Sequence, residues 1–252
     1  MKPSDLERFS NLTFADFRKL ANDNSLSPYE KIGFPNEYRA GKEEQIFADI
    51  LGKLPNLLQR GKLVVDIGPG CSGLATHILT HCQANAHQLI AVDSPEMLQH
   101  LPNAPFITKV PGRFPEDTSE LLRAFHHRID VVITYSVFHY IYAESNPFLF
   151  IDRALELLVE GGTMLIGDVP NISKRKRFFS STAGIQYHQG YTQQTEHPTV
   201  VFNSLDTGKI DDGVLIGILH HCRSAGFDAY LVPQGNELPM ANRREDLLIK
   251  RP

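Results

Sequence analysis

Residues 63–73 read LVVDIGPGCSG. An apolar run ends at Asp66, glycines follow at Gly68, Gly70 and Gly73, and helical apolar spacing resumes from Leu74 to Leu79. An apolar run that breaks into glycines and restarts at helical spacing predicts a strand, a tight turn and a helix. That unit builds nucleotide sites in α/β sheets. As a bare pattern, Gly68-Pro69-Gly70-Cys71-Ser72-Gly73 also spells G-x-G-x-x-G. The open question is which nucleotide fits, and Asp66 bears on it.

A dinucleotide sets its pyrophosphate against the glycine turn and the helix N-terminus. A carboxylate two residues before the first glycine would face that dianion. Like charges about 4 Å apart at an effective dielectric of 20 repel by roughly 4 kcal/mol. S-adenosylmethionine has no phosphate; it carries an ammonium, a sulfonium and one carboxylate. A site for it calls for a negative group at the strand tip and free N–H groups on the turn. Asp66, followed by Gly68, Pro69 and Gly70, supplies both. The alternative is an acid that only caps the turn.

VVDIGPGCSG resembles the first motif of class I S-adenosylmethionine-dependent methyltransferases. A second match is LIAVDSPEML (89–98), where an apolar strand ends at Asp93, about 20 residues past the turn, at the position of a ribose-binding acid. Ser94 reads as a helix N-cap with Pro95 in the first turn. Two departures stand out. The family usually has one more residue between the acid and the Ser-Pro, and its third glycine falls where this chain has Ser72.

The resemblance implies a Rossmann-like, doubly wound α/β fold. Its mostly parallel seven-stranded sheet would carry an antiparallel last strand and an N-terminal helical cap. Residues 1–60 are expected to form the cap or lid, and 61–252 the methyltransferase domain. The expected cofactor is S-adenosyl-L-methionine. The segments YEKIGFPNEYR and PMANRREDLLIKRP are similar to small-molecule methyltransferases associated with bacterial surface-polysaccharide or sugar biosynthesis.

The chain has 252 residues, 42% hydrophobic and 21% charged, enough for one α/β domain with a real core. A net charge of −4 gives no footprint for nucleic acid or an anionic membrane. No apolar run reaches the ~18 residues of a spanning helix. The N-terminus MKPSDLERFSNLTF lacks a signal-peptide core. Three scattered cysteines, Cys71, Cys82 and Cys222, fit a reducing cytoplasm rather than a disulfide framework. The expected partner is a small soluble molecule; if the chain self-associates, a homodimer is expected.

Residues 1–60 read as helical, with LTFADFRKLA and EEQIFADILGKLPNLL at helical spacing. Between them, 27–42 is either a surface loop or a lid that brings Tyr29, Tyr38 or Arg39 to the site. Strands are predicted at 62–67, 88–93, 105–109, 130–135, 162–168, 227–232 and 245–250. Helices are predicted at 73–82, 95–100, 117–126, 147–158 and 212–225. Alternation of the two implies a parallel sheet covered on both faces. The last two strands have no helix between them, so they should pair antiparallel.

Chemistry in open α/β sheets lies beyond the carboxyl ends of the strands. After the third strand, Arg113 stands where family members often hold adenine with an Asp. Its backbone N–H could take that part, with Phe114 stacking on the base. After the fourth strand, DVVITYSVFHYIY resembles the family's fourth motif and brings Tyr135 and Ser136 to the cofactor's methionine end. His139 follows, either a general base, since an unperturbed histidine titrates at about pH 6.5, or a locally bonded histidine. Tyr140 is a substrate contact. Asp168, at the end of the fifth strand, contacts substrate, orients a base or caps the next segment. Metal-dependent catechol-type methyltransferases carry acids at the ends of both the fourth and fifth strands; this chain has Tyr135 and Ser136 at the first and no Asp-Asn pair at the second, so no divalent metal is expected. The basic run SKRKRFFSST (173–182) is either a solvated turn or a clamp for a phosphate or carboxylate, with Arg175 its representative. The polar stretch 183–213 reads as a long substrate-side loop with Tyr187 and His188 as contacts. Asp212 is expected to cap the helix after it.

The function read from these residues is methyl transfer to a small soluble acceptor, at an oxygen of a sugar or phosphorylated metabolite. The competing readings are an NAD(P)-dependent reductase that uses the G-x-G-x-x-G turn, and a non-catalytic S-adenosylmethionine-binding protein.

Overall fold

The computed structural model describes residue 9 and residues 11–252. The expected cap starts at residue 1, so part of it lies outside the described residues. Among the described residues four helices come first: α1 (Phe14–Asn22), α2 (Pro28–Lys31), α3 (Asn36–Arg39) and α4 (Glu43–Lys53), followed by a 3-10 turn at Pro55–Leu58. Thr13 and Ser27 open α1 and α2 with capping boxes, each completed by an acid three residues on (Asp16 and Glu30). The segment 27–42, read as a surface loop or a lid, contains two one-turn helices.

The sheet then builds through β1 (Leu63–Ile67), α5 (Gly73–Ala84), β2 (Gln88–Asp93), α6 (Pro95–Leu98), β3 (Ile107–Pro111), α7 (Ser119–Phe125) and β4 (Ile129–Tyr135). It continues with α8 (Phe138–Glu144), α9 (Pro147–Leu155), β5 (Leu158–Pro170), α10 (Ile172–Phe179), α11 (Thr182–Thr192), α12 (Asp212–Ser224), β6 (Asp228–Val232) and β7 (Arg244–Lys250). The seven strands lie in the order β3-β2-β1-β4-β5-β7-β6. β7 runs antiparallel to both β5 and β6, and the pairings among β1 to β5 are parallel. The expected doubly wound sheet with a reversed last strand is what the chain forms. Among the described residues, no helix is long and apolar enough to cross a membrane.

Strand alternation divides the core in two. Val64, Leu89, Val131, Ile133 and Leu165 pack with Ile46, Ile50 and Ile78 of α4 and α5. Val65, Ile90, Val92, Val132, Met164 and Ile166 pack with α9 and α12 through Phe150, Ile151, Leu215 and Ile218. The same alternation puts Asp66 on the Val64 face, toward α4 and α5.

Several expectations need correction. β3 begins two residues late, and β5 is longer than predicted at both ends. The basic run is a helix, α10, opened by the Asn171 side chain accepting from Ser173 and Lys174 N–H. The polar stretch after it is helical through Thr192, because Ser181 caps α11. The cap of α12 is Asp211, whose carboxylate accepts from Val214 N–H, whereas Asp212 is the first helical residue and pairs with Arg177.

Tyr135 lies flat against the neighbouring strand only because Gly167 has no side chain. A Cβ there would sit 2.2 Å from the Tyr135 ring. Gly167→Ala is expected to cost about 1–3 kcal/mol through overpacking, seen as a lower urea midpoint with an unchanged m-value.

Candidate functional site

A cavity opens beyond the carboxyl ends of β1, β2, β3 and β4, with about 1030 Å³ of atom-free space including its mouth. Its floor is the glycine turn Gly68-Pro69-Gly70 together with Asp93, Tyr135 and Ser136; one side carries Met97, Arg113, Phe114 and Phe150. The other side comes from the N-terminal helices and α8: Phe17, Ile32, Phe34, Arg39, Tyr140 and Glu144.

The turn is shaped for close approach. Gly68 and Gly70 have φ of 76° and 64°, conformations that side chains resist. A Cβ on Gly68 would meet Val137 at 2.6 Å, and one on Gly70 would meet Ile32 at 2.7 Å. The Gly70 N–H donates to Asp93 Oδ2 at 3.3 Å, and Ser94 N–H donates to Asp93 Oδ1 at 2.7 Å. Asp93 thus hangs on the wall with lone pairs to spare. Burial pushes its pKa up to about 6, against the pull of those two N–H groups.

Asp66 does not reach the wall. Its side chain is 2% exposed on the α4/α5 side of β1, and burial and then the Asp93 carboxylate push its pKa up to about 8. Ser94 also stays off the wall; its Oγ accepts from Met97 N–H at 3.1 Å and starts α6. The Arg113 N–H is not free for a base, since it donates to Asp117 Oδ2 at 2.9 Å. The Arg113 side chain instead lies 4.9 Å over the Phe14 ring and 3.7 Å from Glu144. Phe114 is at the wall and meets Phe150 edge-on at 5.3 Å.

At the ends of β4 and β5 a buried polar hub closes the floor. Arg39 donates to Ser136 Oγ and to the Asp168 carboxylate, and Ser136 O–H donates to that same carboxylate. Arg244 Nη1 donates to Asp168 Oδ2 at 2.7 Å, and Gln234 Nε2 to Oδ1 at 3.4 Å. Burial raises the Asp168 pKa, but Arg244, Arg39, Ser136 and Gln234 outweigh it and hold the carboxyl below its ordinary value. Ser136 and Asp168 have φ of 63° and 60°, uncommon for residues with side chains and frequent at functional sites. Arg39 Nε is buried with no partner. A guanidinium at the wall with an unused donor fits a carboxylate on a ligand.

Tyr140 is at the wall, where burial pushes its pKa up to about 12 and keeps it a hydrogen-bond donor. His139 is not at the wall. Burial, then Arg244, pulls its pKa down to about 3, so the ring is neutral and weakly basic, with Nδ1 unpartnered. Asp168 reaches the cavity only through Ser136 and Arg39. Arg175, Tyr187 and His188 lie on α10 and α11, off the wall. Of the basic run, Lys174 bonds the Arg244 carbonyl at 2.8 Å, Lys176 pairs with Asp206 and Arg177 with Asp212. The expected four-cation clamp is therefore largely committed to internal partners. Sequence reading missed Phe14, Phe17, Met97, Glu144 and Phe150 at the wall; the aromatic spacing in LTFADF was the one available signal. Among the described residues, no acid, cysteine or histidine cluster could hold a metal.

No protein-family model matches the chain, and no curated protein matches it in sequence. Solved structures do share its fold. The plantazolicin methyltransferase BpumL, in complex with a triazolic desmethylPZN analog and SAH, aligns with a TM-score of 0.58 at 12% identity, over 100% of this chain and 99% of that one. The CurJ carbon methyltransferase aligns with a TM-score of 0.55 at 18% identity, over 98% of this chain, which spans 66% of the CurJ chain. A SAM-dependent methyltransferase from Aquifex aeolicus gives 0.52 at 12% identity, over 90% and 100%. At these identities the likeness establishes the fold: the chain has the class I methyltransferase fold.

The raised pKa of Asp66 makes a stability prediction. The folded chain holds this proton up to about pH 8, and an unfolded Asp releases it near 3.9. Between those values the folded state binds more protons, so stability falls as pH rises. Asp66→Asn removes that slope. The variant is expected to melt several degrees higher than the parent at pH 7.5, at about 2–4 °C per kcal/mol for a chain of this size, with the gap closing toward pH 4 in a pH series of melting curves.

Proposed function

We propose that this chain is an S-adenosylmethionine-dependent methyltransferase acting on an oxygen of a small soluble acceptor. The observation that carries the reading is the Gly70–Asp93 hydrogen bond. It commits to a carboxylate the turn amide that a pyrophosphate would need; with Gly68 N–H on the Val92 carbonyl at 2.8 Å and no N–H on Pro69, the turn also lacks the free N–H groups expected for the cofactor's carboxylate. Asp93 also presents an acceptor to ribose hydroxyls and repels a phosphate. This disfavours the nicotinamide dinucleotide reading, although the bare G-x-G-x-x-G is present.

The residues present fit the cofactor. Asp93 would take the ribose hydroxyls, while Met97, Phe114 and Phe150 offer an apolar slot for adenine. The Arg39 guanidinium would take the carboxylate through its unpartnered Nε. Asp66, behind the turn and protonated below about pH 8, would not serve as the negative group for the ammonium that the sequence suggests. When bound, S-adenosylmethionine supplies a methyl group already activated by its sulfonium. The chain's part is to align the acceptor and exclude water. Phe17, Phe34 and Ile32 dry the cavity, and Tyr140 donates a hydrogen bond to an acceptor oxygen. With its pKa depressed to about 3, His139 is a poor base, so the reading favours an acceptor whose oxygen is already nucleophilic.

In this reading residues 1–60 act as a cap over the 61–252 domain, with Arg39 its contribution to the site. The finer proposal is an oxygen of a sugar or phosphorylated metabolite, of the kind used in bacterial surface-polysaccharide synthesis. The Tyr- and Arg-bearing surface of α10 and α11 next to the cavity supports it. The chain would work in the cytoplasm, as a homodimer if it self-associates.

Thermal-shift titration tests the cofactor. S-adenosylhomocysteine should raise the melting temperature by mass action, and NADH should not. The reverse result removes the proposal. Asp93→Ala should weaken S-adenosylhomocysteine binding about tenfold or more, the worth of a hydrogen bond to a charged acceptor, as read by calorimetry. Transfer of a labelled methyl group to fractionated bacterial metabolites separates an enzyme from a protein that only binds the cofactor.

A further inference from the structure

Two arginines next to the cavity have no carboxylate partner among the described residues. Arg175 lies 4.9 Å over the Phe179 ring; Arg243 lies 5.9 Å from the same ring and 5.8 Å from the Tyr187 ring. They are close enough that burial and then the Arg243 charge hold the Arg175 pKa below its ordinary value. Their neighbours on the basic helix, Lys176 and Arg177, pair with Asp206 and Asp212. Two like charges converge on one aromatic ring with no anion between them.

Their backbone is fixed. Asn171 N–H donates to the Arg243 carbonyl at 3.0 Å, and Arg175 N–H donates to the Asn171 carbonyl at 2.9 Å. Phenols complete the surround. Tyr187 stacks parallel to Tyr191 at 6.4 Å, and Tyr38 faces Tyr191, Arg243 and Tyr187.

The place of this cluster is set by chain continuity. Tyr38 faces it, while Arg39, the next residue, lines the cavity and holds Ser136 and Asp168. Arg243 faces it, while Arg244 bonds the same Asp168. Consecutive Cα atoms are about 3.8 Å apart. The backbone that carries the cluster is therefore continuous with the residues that hold Asp168, at Tyr38–Arg39 and at Arg243–Arg244.

The geometry points to a subsite for an anionic group on the acceptor, a phosphate or carboxylate held between the guanidiniums of Arg175 and Arg243 above Phe179 and Tyr187. Planar guanidiniums bind such oxygens in pairs, and the phenols add donors. What the anion is attached to rests on the methyltransferase reading; the anion site itself does not.

Calorimetric titration of the full chain with inorganic phosphate, and separately with malonate, tests it. At least one anion should bind saturably. Arg175→Gln and Arg243→Gln should each weaken it about tenfold or more, and the double variant should abolish it. Arg177→Gln should keep the parent affinity, and S-adenosylhomocysteine binding should be unchanged in all of them, which also reports that they fold. Tighter phosphate assigns a phosphorylated acceptor, and tighter malonate a carboxylated one. The inference falls if neither anion saturates, or if the double variant binds like the parent. Phosphate binding without S-adenosylhomocysteine binding would sink the methyltransferase reading and leave this site standing.

Discussion

The carboxylate of Asp168 is the knot that joins the N-terminal helices to the sheet. It is 3% exposed and takes hydrogen bonds from Arg39, Arg244, Ser136 and Gln234. Arg39 comes from the cap, Ser136 from the end of β4 and Arg244 from the start of β7. A lone buried charge is very costly, and losing one partner of a buried pair typically costs about 3–5 kcal/mol. The hub avoids that cost with two guanidiniums and further donors. Asp168 N–H in turn donates to Asp246 Oδ1 at 2.7 Å, and Lys53 of α4 reaches Asp246 Oδ2 at 2.8 Å. The cap is thus tied to the sheet through α3 and α4 by acids at the end of β5 and on β7, and through Asn56 by the Gly161 carbonyl at 3.0 Å.

This hub also explains why the cavity has opposite electrical characters at its two ends. At the turn end, Asp93 is the acid on the wall, with Asp66 behind it holding its proton up to about pH 8. At the β4/β5 end, Arg39 presents an unused Nε beside an already neutralised Asp168. A zwitterionic amino-acid tail matches that polarity, and a diphosphate does not.

Much of this was legible in the sequence. Periodicity gave the seven strands and their mostly parallel order, because apolar runs ending in glycine or an acid carry both length and direction. Gly68, Gly70, Asp93, Tyr135 and Ser136 were legible as wall residues because each follows a strand. Side-chain direction was not. Asp66 and Ser94 sit one pleat or one cap away from the cavity, and a period of two gives alternation without saying which face the ligand takes. The helices α10 and α11 were missed because Asn171 and Ser181 supply caps to stretches with little apolar periodicity. The role of Arg39 depends on contacts 97 and 129 residues away, to Ser136 and Asp168, and no local pattern records those.

The position of β7 carries a consequence for synthesis. It lies inside the sheet, between β5 and β6, although it follows both in the chain. Until residues 244–250 have left the ribosome, the 13-residue β5 has a bare edge along mostly buried apolar residues. Such an edge is a template for pairing with other chains. A chain whose first five strands have paired exposes that edge until β7 arrives, because β6 joins the sheet only through β7.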